Sequence, residues 1–425
     1  MKNKLVFLTY TYPYTPPSEQ FIHEELKVLN DYFDEIILVP TSHASYSNDI
    51  YEGTFTNVFT ERINRRKKFI EVLIYLPLVL FLNPSIYKEV YNLGKNRLLF
   101  NKTALKDLFL NYISDHIITR QTLSIIRNNS NKDDRIIIYS YWFSHLVFSA
   151  LSIKNKLLKR GFNNLGVVSR AHGSSDVFFP KKMNNYKIGL TNIKASLDTL
   201  YSISASGKEY LSSLGIPSDK VIVNRLGVKD NGLVANREIG KELKIVSCSY
   251  INEIKRIDLL VKSLANITDI NVTWTHFGDG PLYNQIKQMC INKLPSNIKV
   301  KLMGKKTNSE IISYYKEESP HIFINVSSIE GIPVSIMEAI SLGIPIIATD
   351  VGGNSEICIS GYNGTLIPHD FTTAQLTAQI KSFFSMDAAK YKELCSNSRE
   401  LFIQKYNKDI NFRAFAESLN SKKDS

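Results

Sequence analysis

Short apolar runs recur along the chain, separated by longer segments of helical period, and that alternation predicts parallel sheets joined by crossover helices. In the first half the strand candidates are 5–8, 36–39, 135–141, 165–169, 199–203 and 221–223, each short, β-branched or aromatic, and bounded by turn residues. The series restarts at 244–249 and continues with 272–277, 299–303, 321–326, 345–348 and 365–367, with helical patterns such as 258–267 and 309–318 between. An α/β architecture built twice is the economical reading. Residues 227–240 (GVKDNGLVANREIG) are polar, glycine-containing and without apolar period, so the linker is placed there. The expected domains are 1–228 and 229–403. The tail 390–419 is helical in pattern with Phe402, Tyr406, Phe412 and Phe415 available for packing, and 404–425 reads as a terminal helix able to pack back on the first domain.

Length and composition agree with two cores: 425 residues, 44% of them hydrophobic, exceed what one compact domain holds. The net charge of +12 calls for an anionic partner, and nucleic acid, anionic lipid or a phosphorylated substrate would each satisfy it. No helix-turn-helix, zinc spacing or aromatic RNA-binding strand accompanies that charge, so nucleic acid is not expected. Cys248, Cys290, Cys358 and Cys395 lack CxxC spacing and read as buried thiols in a reducing cytoplasm. The run 5–8 reads as a strand without a cleavage signal behind it, so a cytoplasmic location is expected. The longest apolar stretch, 69–82, contains Glu71 and Pro77 and falls short of the ~20 residues that span a bilayer. Arg62, Arg65, Arg66, Lys67 and Lys68 directly precede it, the pattern of a helix lying on the inner face of the cytoplasmic membrane. A core helix with a solvated basic entry fits the same residues.

The segment 321–356, HIFINVSSIEGIPVSIMEAISLGIPIIATDVGGNSE, reads as strand, loop, helix, strand, loop. Pro333 is expected at the first helical position, where its missing N–H costs nothing, and Gly343 with Pro345 ends the helix. A helix that starts at the carboxyl end of a parallel sheet offers free N–H groups to phosphate, so the amides around Gly331, Ile332 and Val334 form a candidate diphosphate cradle. Glu330 lies before that helix and Glu338 within it. The separation suits a ligand with a hydroxyl-bearing group at each end, a sugar on Glu330 and a ribose on Glu338. The plainer alternative makes Glu330 a charge at a helix terminus and Glu338 a surface residue.

Glu330-Gly331-Ile332-Pro333, then Glu338-Ala339, Gly343-x-Pro345 and Asp350-Val351-Gly352-Gly353, resemble in that order the retaining glycosyltransferases of family 4, in which a Glu, seven residues and a second Glu mark the donor site. The resemblance extends to the strand-to-helix turn Phe277-Gly278-Asp279-Gly280-Pro281-Leu282 and to 299–304, with Met303 and Gly304 beside the nucleotide base, and covers nearly all of 241–370. It implies the GT-B fold, two Rossmann-like domains facing across a cleft. It also implies a nucleotide-sugar donor, no metal and no cofactor, with Glu330 on the donor sugar, Glu338 on the ribose and Pro333 and Val334 at the diphosphate. A departing diphosphate then needs Lys, Arg or amides to meet its charge. Lys255 carries over from the family, whose Arg five residues earlier is Tyr250 here, and Arg256 is taken as its replacement. A solvated basic pair opening the next helix is the competing view.

Val168-Ser169-Arg170-Ala171-His172-Gly173 places His172 at the carboxyl end of a strand, and with Arg170, Gly173 and Asp176 it resembles the family histidine that contacts the donor sugar. A structural histidine is the alternative. The loop 12–21 lacks the family's usual glycine pair. Its Ser18-Glu19-Gln20-Phe21 with Glu24 and Glu25 resembles a branch that makes bacterial surface polysaccharides, O-antigen, capsule or exopolysaccharide, and Glu19 is the acceptor-side candidate. Alternatively Pro16 and Pro17 make a stiff turn and Glu19 starts the next helix. The resemblance thus implies retaining transfer of a sugar to a lipid-linked or oligosaccharide acceptor. A catalytically silent partner subunit of the same fold, or a nucleotide-sugar epimerase or phosphorylase, would share the motifs.

Overall fold

The computed structural model describes residues 1–14, 20–42, 55, 57–173, 187–232 and 238–421. The chain forms two compact units: Met1–Ile203 with Gly207–Asn224 and Phe412–Ser425, and Arg225–Asn411 with Ser204–Ser206. The chain therefore passes from one unit to the other at 224/225 and returns at 411/412, where the sequence reading had placed 228/229 and 403/404.

In the first unit, strands β1 (Asn3–Thr9), β2 (Glu35–Pro40), β3 (Val58–Thr60), β4 (Arg135–Ser140), β5 (Leu165–Ala171), β6 (Thr199–Ser202) and β7 (Val221–Val223) form one sheet in the order β3-β2-β1-β4-β5-β6-β7. Every pairing is parallel, Val6 lying opposite Ile37 on one side and Ile138 on the other. Side chains alternate between faces, so Val6 and Leu8 enter one core while Leu5 and Phe7 enter another. The second of these is closed by the helix Lys408–Asn420, whose Phe415, Ala416 and Leu419 pack against Leu5, Phe7 and Tyr139. β3 is the strand that the apolar pattern misses: it has three residues at the sheet edge, two of them exposed.

In the second unit, β8 (Glu242–Cys248), β9 (Asn271–Phe277), β10 (Ile298–Leu302), β11 (Ile322–Asn325), β12 (Ile346–Thr349) and β13 (Gly364–Ile367) form a parallel six-stranded sheet in the order β10-β9-β8-β11-β12-β13. β11 and β12 are buried along their whole length, as strands covered by helices on both faces must be. The helical tail is two helices, Ala388–Lys405 in this unit and Lys408–Asn420 across the boundary, broken at Tyr406 and Asn407. All four cysteines are free; Cys358 is buried and the other three are half-buried.

Candidate active site

The candidate residues of the second unit gather in the loops at the carboxyl ends of its strands, the end where open parallel sheets bind ligands. After β8 the chain turns through Asn252, whose carboxamide oxygen caps a short 3-10 turn by accepting from the Lys255 N–H at 3.2 Å. After β11 it turns through Ser327 to Pro333. The two loops are tied together, the Ser328 N–H donating to the Ile254 carbonyl at 2.8 Å. That tie brings Lys255 Nζ to 2.5 Å from Glu330 Oε1. Asn325, the last residue of β11, donates to the same oxygen at 3.2 Å and accepts from the Ser327 N–H at 3.1 Å, holding carboxylate and loop at once. Glu330 is nearly buried, and among the described residues its Oε2 has no partner.

The glycines of the sequence motifs fix these loops by close approach. A Cβ on Gly352, whose φ is +52°, would stand 1.9 Å from the Glu330 carbonyl oxygen, and the Gly353 N–H donates to the Gly331 carbonyl at 2.7 Å. The loop after β12 is therefore moulded onto the loop that carries Glu330. Gly278, with φ +137°, approaches the Ser249 carbonyl in the same way, so the turn after β9 braces the turn after β8. Gly280 belongs to that brace, where the Ile251 N–H donates to the Asp279 carbonyl at 2.8 Å. The Met303 N–H donates to the His276 carbonyl at 2.9 Å, and the Gly304 carbonyl accepts from the Gly278 N–H at 2.8 Å.

The helix Val334–Ser341 starts one residue later than the sequence suggests: Pro333 is its N-cap, with extended backbone. Its carbonyl already accepts from the Ile336 and Met337 N–H groups. Among the described residues the N–H groups of Gly331, Ile332, Val334 and Ser335 have no acceptor, which leaves donors and the positive dipole end beside Glu330. One turn on, Glu338 is buried and accepts from the Asn308 carboxamide. Burial pushes its carboxyl up to about 7 against the opposing pull of that hydrogen bond.

Arg256 has a different place. Its guanidinium donates to the carbonyls of Val326 at 2.7 Å, His369 at 2.7 Å and Ser327 at 3.0 Å, and lies over the Phe371 ring. It braces the loop leading to Glu330, and Lys255 is the member of the basic pair that reaches the carboxylate. Tyr250, where the family has its Arg, is exposed. Asn325 and Asn308 are the side chains of the candidate site that sequence reasoning missed. Asn325 ends a strand in the motif region, a position that could have flagged it.

In the first unit His172 follows β5, its ring against Tyr141 and Trp142 with centroids at 4.4 and 4.6 Å. Its Nε2 lies 2.9 Å from the Tyr141 carbonyl and so carries the proton. Burial, and behind it the Arg170 charge, lower its pKa to about 3, so the ring is neutral at working pH. Arg170 is fully buried, paired with Glu25 and donating to the Asn224 carboxamide at 2.8 Å, which makes it a tie between β5 and the helix Gln20–Leu29. Glu24 is half-buried and paired with Lys27. Ser18, Glu19 and Asp176 lie outside the described residues.

The apolar stretch is the helix Lys68–Leu82, followed after a 92° bend by Ser85–Lys95; among the described residues no single helix is long and apolar enough to cross a membrane. Val79 and its neighbours Val72, Tyr75, Leu76 and Leu80 pack into the core, while Phe69, Leu73, Phe81 and Leu82 are 73%, 61%, 87% and 54% exposed. Arg65 leaves the basic cluster: it forms a buried bidentate pair with Glu71, at 2.9 and 2.8 Å. Arg66, Lys67 and Lys68 are exposed.

Residues 230–401 match the model of the family described as glycosyl transferases group 1. A putative colanic acid biosynthesis glycosyltransferase of Salmonella typhimurium is 25% identical over 52% of this chain and 56% of its own length. An amylovoran biosynthesis glycosyltransferase of Erwinia amylovora is 25% identical over 58% and 62%. The chain thus spans under two thirds of the length of these relatives. Among solved structures, the apo form of the lipopolysaccharide outer core galactosyltransferase WaaB is similar at a TM-score of 0.70 with 16% identity, covering 99% of each chain. HepE of Anabaena in complex with UDP is similar at 0.64 with 14% identity, covering 99% of this chain and all of that one. The fold is the GT-B fold, with two parallel-sheet Rossmann-like units.

Proposed function

We propose that this chain transfers a sugar from a nucleoside diphosphate sugar to a glycan acceptor of bacterial surface polysaccharide synthesis, with retention of anomeric configuration and without a metal ion. The observation that carries the reading is the pairing of Lys255 with Glu330 at 2.5 Å beside a helix terminus with open N–H groups. In the proposed complex the unengaged Oε2 of Glu330 accepts from a sugar hydroxyl, Glu338 takes the ribose, and the diphosphate lies on the amides of Gly331, Ile332, Val334 and Ser335. As the bond from the anomeric carbon to the phosphate oxygen breaks, Lys255 and those amides meet the growing charge. Arg256 supports this from behind by fixing the loop. The relatives' polysaccharide names and the UDP bound by HepE support the choice of substrate class.

Retention follows from where Glu330 stands in this reading. Double displacement needs a carboxylate on the face of the sugar opposite the leaving group. Glu330 belongs to the loop that binds the diphosphate, so it approaches from the leaving-group side. The route left is front-side substitution: the acceptor oxygen bonds to the anomeric carbon as the phosphate departs, and its proton passes to a leaving phosphate oxygen. We further propose a lipid-linked acceptor at the inner face of the cytoplasmic membrane, on the strength of the exposed stripe Phe69, Leu73, Phe81 and Leu82 beside Arg66, Lys67 and Lys68.

The test is one assay with three arms. Transfer from an α-linked nucleotide sugar should persist in EDTA, yield an α-linked product by the anomeric proton coupling, and slow by on the order of 10²–10³ in Lys255→Ala. A β-linked product would overturn the mechanism, and a strict need for Mg²⁺ or Mn²⁺ would overturn the metal-free site. No transfer from any nucleotide sugar, with UDP still bound, would favour a silent partner subunit.

A further inference from the structure

The first unit holds a cavity of about 260 Å³ that none of the donor-site motifs reaches. It opens at the carboxyl ends of β1 and β2, beside Tyr10 and Thr41, and its far wall is one face of the helix Lys102–Asn129. Asp107, Asn111 and Ser114 stand on that face at i, i+4 and i+7. Two of the three are idle: among the described residues neither the Asp107 carboxylate nor the Asn111 carboxamide has a hydrogen-bond or ion-pair partner. A half-buried carboxylate left without a partner in a cavity costs desolvation and is spared that cost by a hydroxyl-bearing ligand. Tyr10 and His145, with ring centroids 5.6 Å apart, give the cavity an aromatic wall, and Val72 adds an apolar one.

Carboxylate, carboxamide and flat apolar walls are the groups that recognise a sugar ring: the first two accept from and donate to vicinal hydroxyls, and the rings cover its C–H face. A phosphate would meet the Asp107 and Glu71 carboxylates, and of the two lining cations, Arg65 and Lys68, the first is already held by Glu71. The volume is below the roughly 300 Å³ at which pockets for drug-sized ligands begin, room for a single ring. Val72 and Lys68 also belong to the helix Lys68–Leu82, whose outer side is the exposed apolar stripe. We propose that this cavity is a sugar subsite that seats the lipid-proximal hexopyranose ring of a lipid-linked acceptor, its lipid lying along Phe69, Leu73 and Phe81. The inference rests on the reading of the chain as a transferase acting on lipid-linked glycans, and it can be tested without the donor.

Saturation-transfer NMR on the full chain, with methyl glycosides of glucose, galactose, mannose, rhamnose and N-acetylglucosamine, should show binding of at least one. Asp107→Ala and Asn111→Ala should each weaken it by about tenfold, the worth of one charge-assisted or well-placed hydrogen bond, at unchanged melting temperature. Asp107→Asn, which keeps an acceptor, should recover part of the loss. The octyl glycoside of the same sugar should bind at least about tenfold more tightly than the methyl one, and Leu73→Ser should reduce that advantage. Absence of glycoside binding, binding indifferent to both alanine variants, or displacement by inorganic phosphate would overturn the subsite. Equal binding of methyl and octyl glycosides would overturn its lipid-proximal assignment. UDP titration of the same samples reports the donor site separately, so its failure and failure of the cavity are read apart.

Discussion

Burial pushes the Glu338 carboxyl up to about 7, whereas the unfolded chain releases that proton near 4.3. Between those values the folded protein holds a proton that the unfolded chain has lost, so the group's stability contribution is fully present below the unfolded value and is lost as pH rises through about 7. The difference is of the order of 3 kcal/mol. Glu338→Gln, which keeps the shape and never ionises, should therefore melt higher than the parent at pH 8 and close to it at pH 5. Two ribose hydroxyls, however, are best accepted by the ionised form. Uridine affinity of the parent should rise with pH through about 7, and that of the Gln variant should be lower and flat. Calorimetry at pH 6, 7 and 8 checks both; an affinity that rises with pH in the Gln variant too would remove Glu338 from the nucleotide. The spacing of Glu330 and Glu338 is legible in the sequence, because both lie on one continuous stretch of backbone. Their partners are not: Asn308 reaches Glu338 from the start of another helix, and Arg256 finds its three carbonyls at 326, 327 and 369, which only the folded sheet brings to it.

Loops moulded onto one another carry a different kind of information from the side chains they present. The paired glycines 352 and 353 read in sequence as a family motif, and their physical content is backbone contact: an added Cβ at 352 collides with the Glu330 carbonyl. Gly352→Ala should displace that loop, with strain of about 1–3 kcal/mol at its positive φ, and lower transfer and UDP affinity together, since the one loop offers Glu330 to the sugar and the Gly331 and Ile332 amides to the diphosphate. Unchanged UDP affinity would take the diphosphate off those amides. For the helix Lys68–Leu82 the sequence left two readings open, core or interface; in the structure one side packs in the core and the other is exposed. The basic cluster divides likewise. Arg65→Gln should destabilise the fold by breaking its buried pair with Glu71, and so serves poorly as a membrane probe. Arg62→Gln, Arg66→Gln and Lys67→Gln together should instead weaken binding to vesicles of anionic lipid by about 3 kcal/mol, with melting unchanged. Sedimentation with such vesicles that is the same for parent and triple variant, or absent for the parent at low salt, would sink the interfacial reading.

At the level of the whole molecule the alternation of strand and helix made the doubled α/β fold legible, and twelve of the thirteen strands among the described residues overlap a stretch chosen from apolar pattern alone. Ownership of the terminal helix was harder to read, because helical period says that a face is apolar and leaves open which sheet that face meets. The structure gives Phe415, Ala416 and Leu419 to the core of the first unit, on the side of Leu5, Phe7 and Tyr139. Polar ties reinforce them: Tyr201 and Ser418 share a hydrogen bond at 2.8 Å, the Arg170 guanidinium lies 4.1 Å from the Phe415 ring centroid, and Arg135 donates to the Leu419 carbonyl. The first unit is thus built from both ends of the chain, whereas the second comes almost wholly from Arg225–Asn411 and has its own core around Leu243, Ile245, Trp274 and Ile324. Separate cores should melt as separate transitions, each with its own handle. Phe415→Ala removes a buried ring at a cost of about 3–5 kcal/mol, which should lower the transition of the first unit by on the order of 10 °C. UDP at 100 times its dissociation constant adds about 2.7 kcal/mol to whatever binds it, and in this account only the second unit does. In scanning calorimetry the substitution should therefore move one transition and the nucleotide the other, and in Phe415→Ala the UDP-induced shift should be the same as in the parent. If UDP raises both transitions together, or if Phe415→Ala abolishes the UDP shift, the donor site is not contained in the second unit.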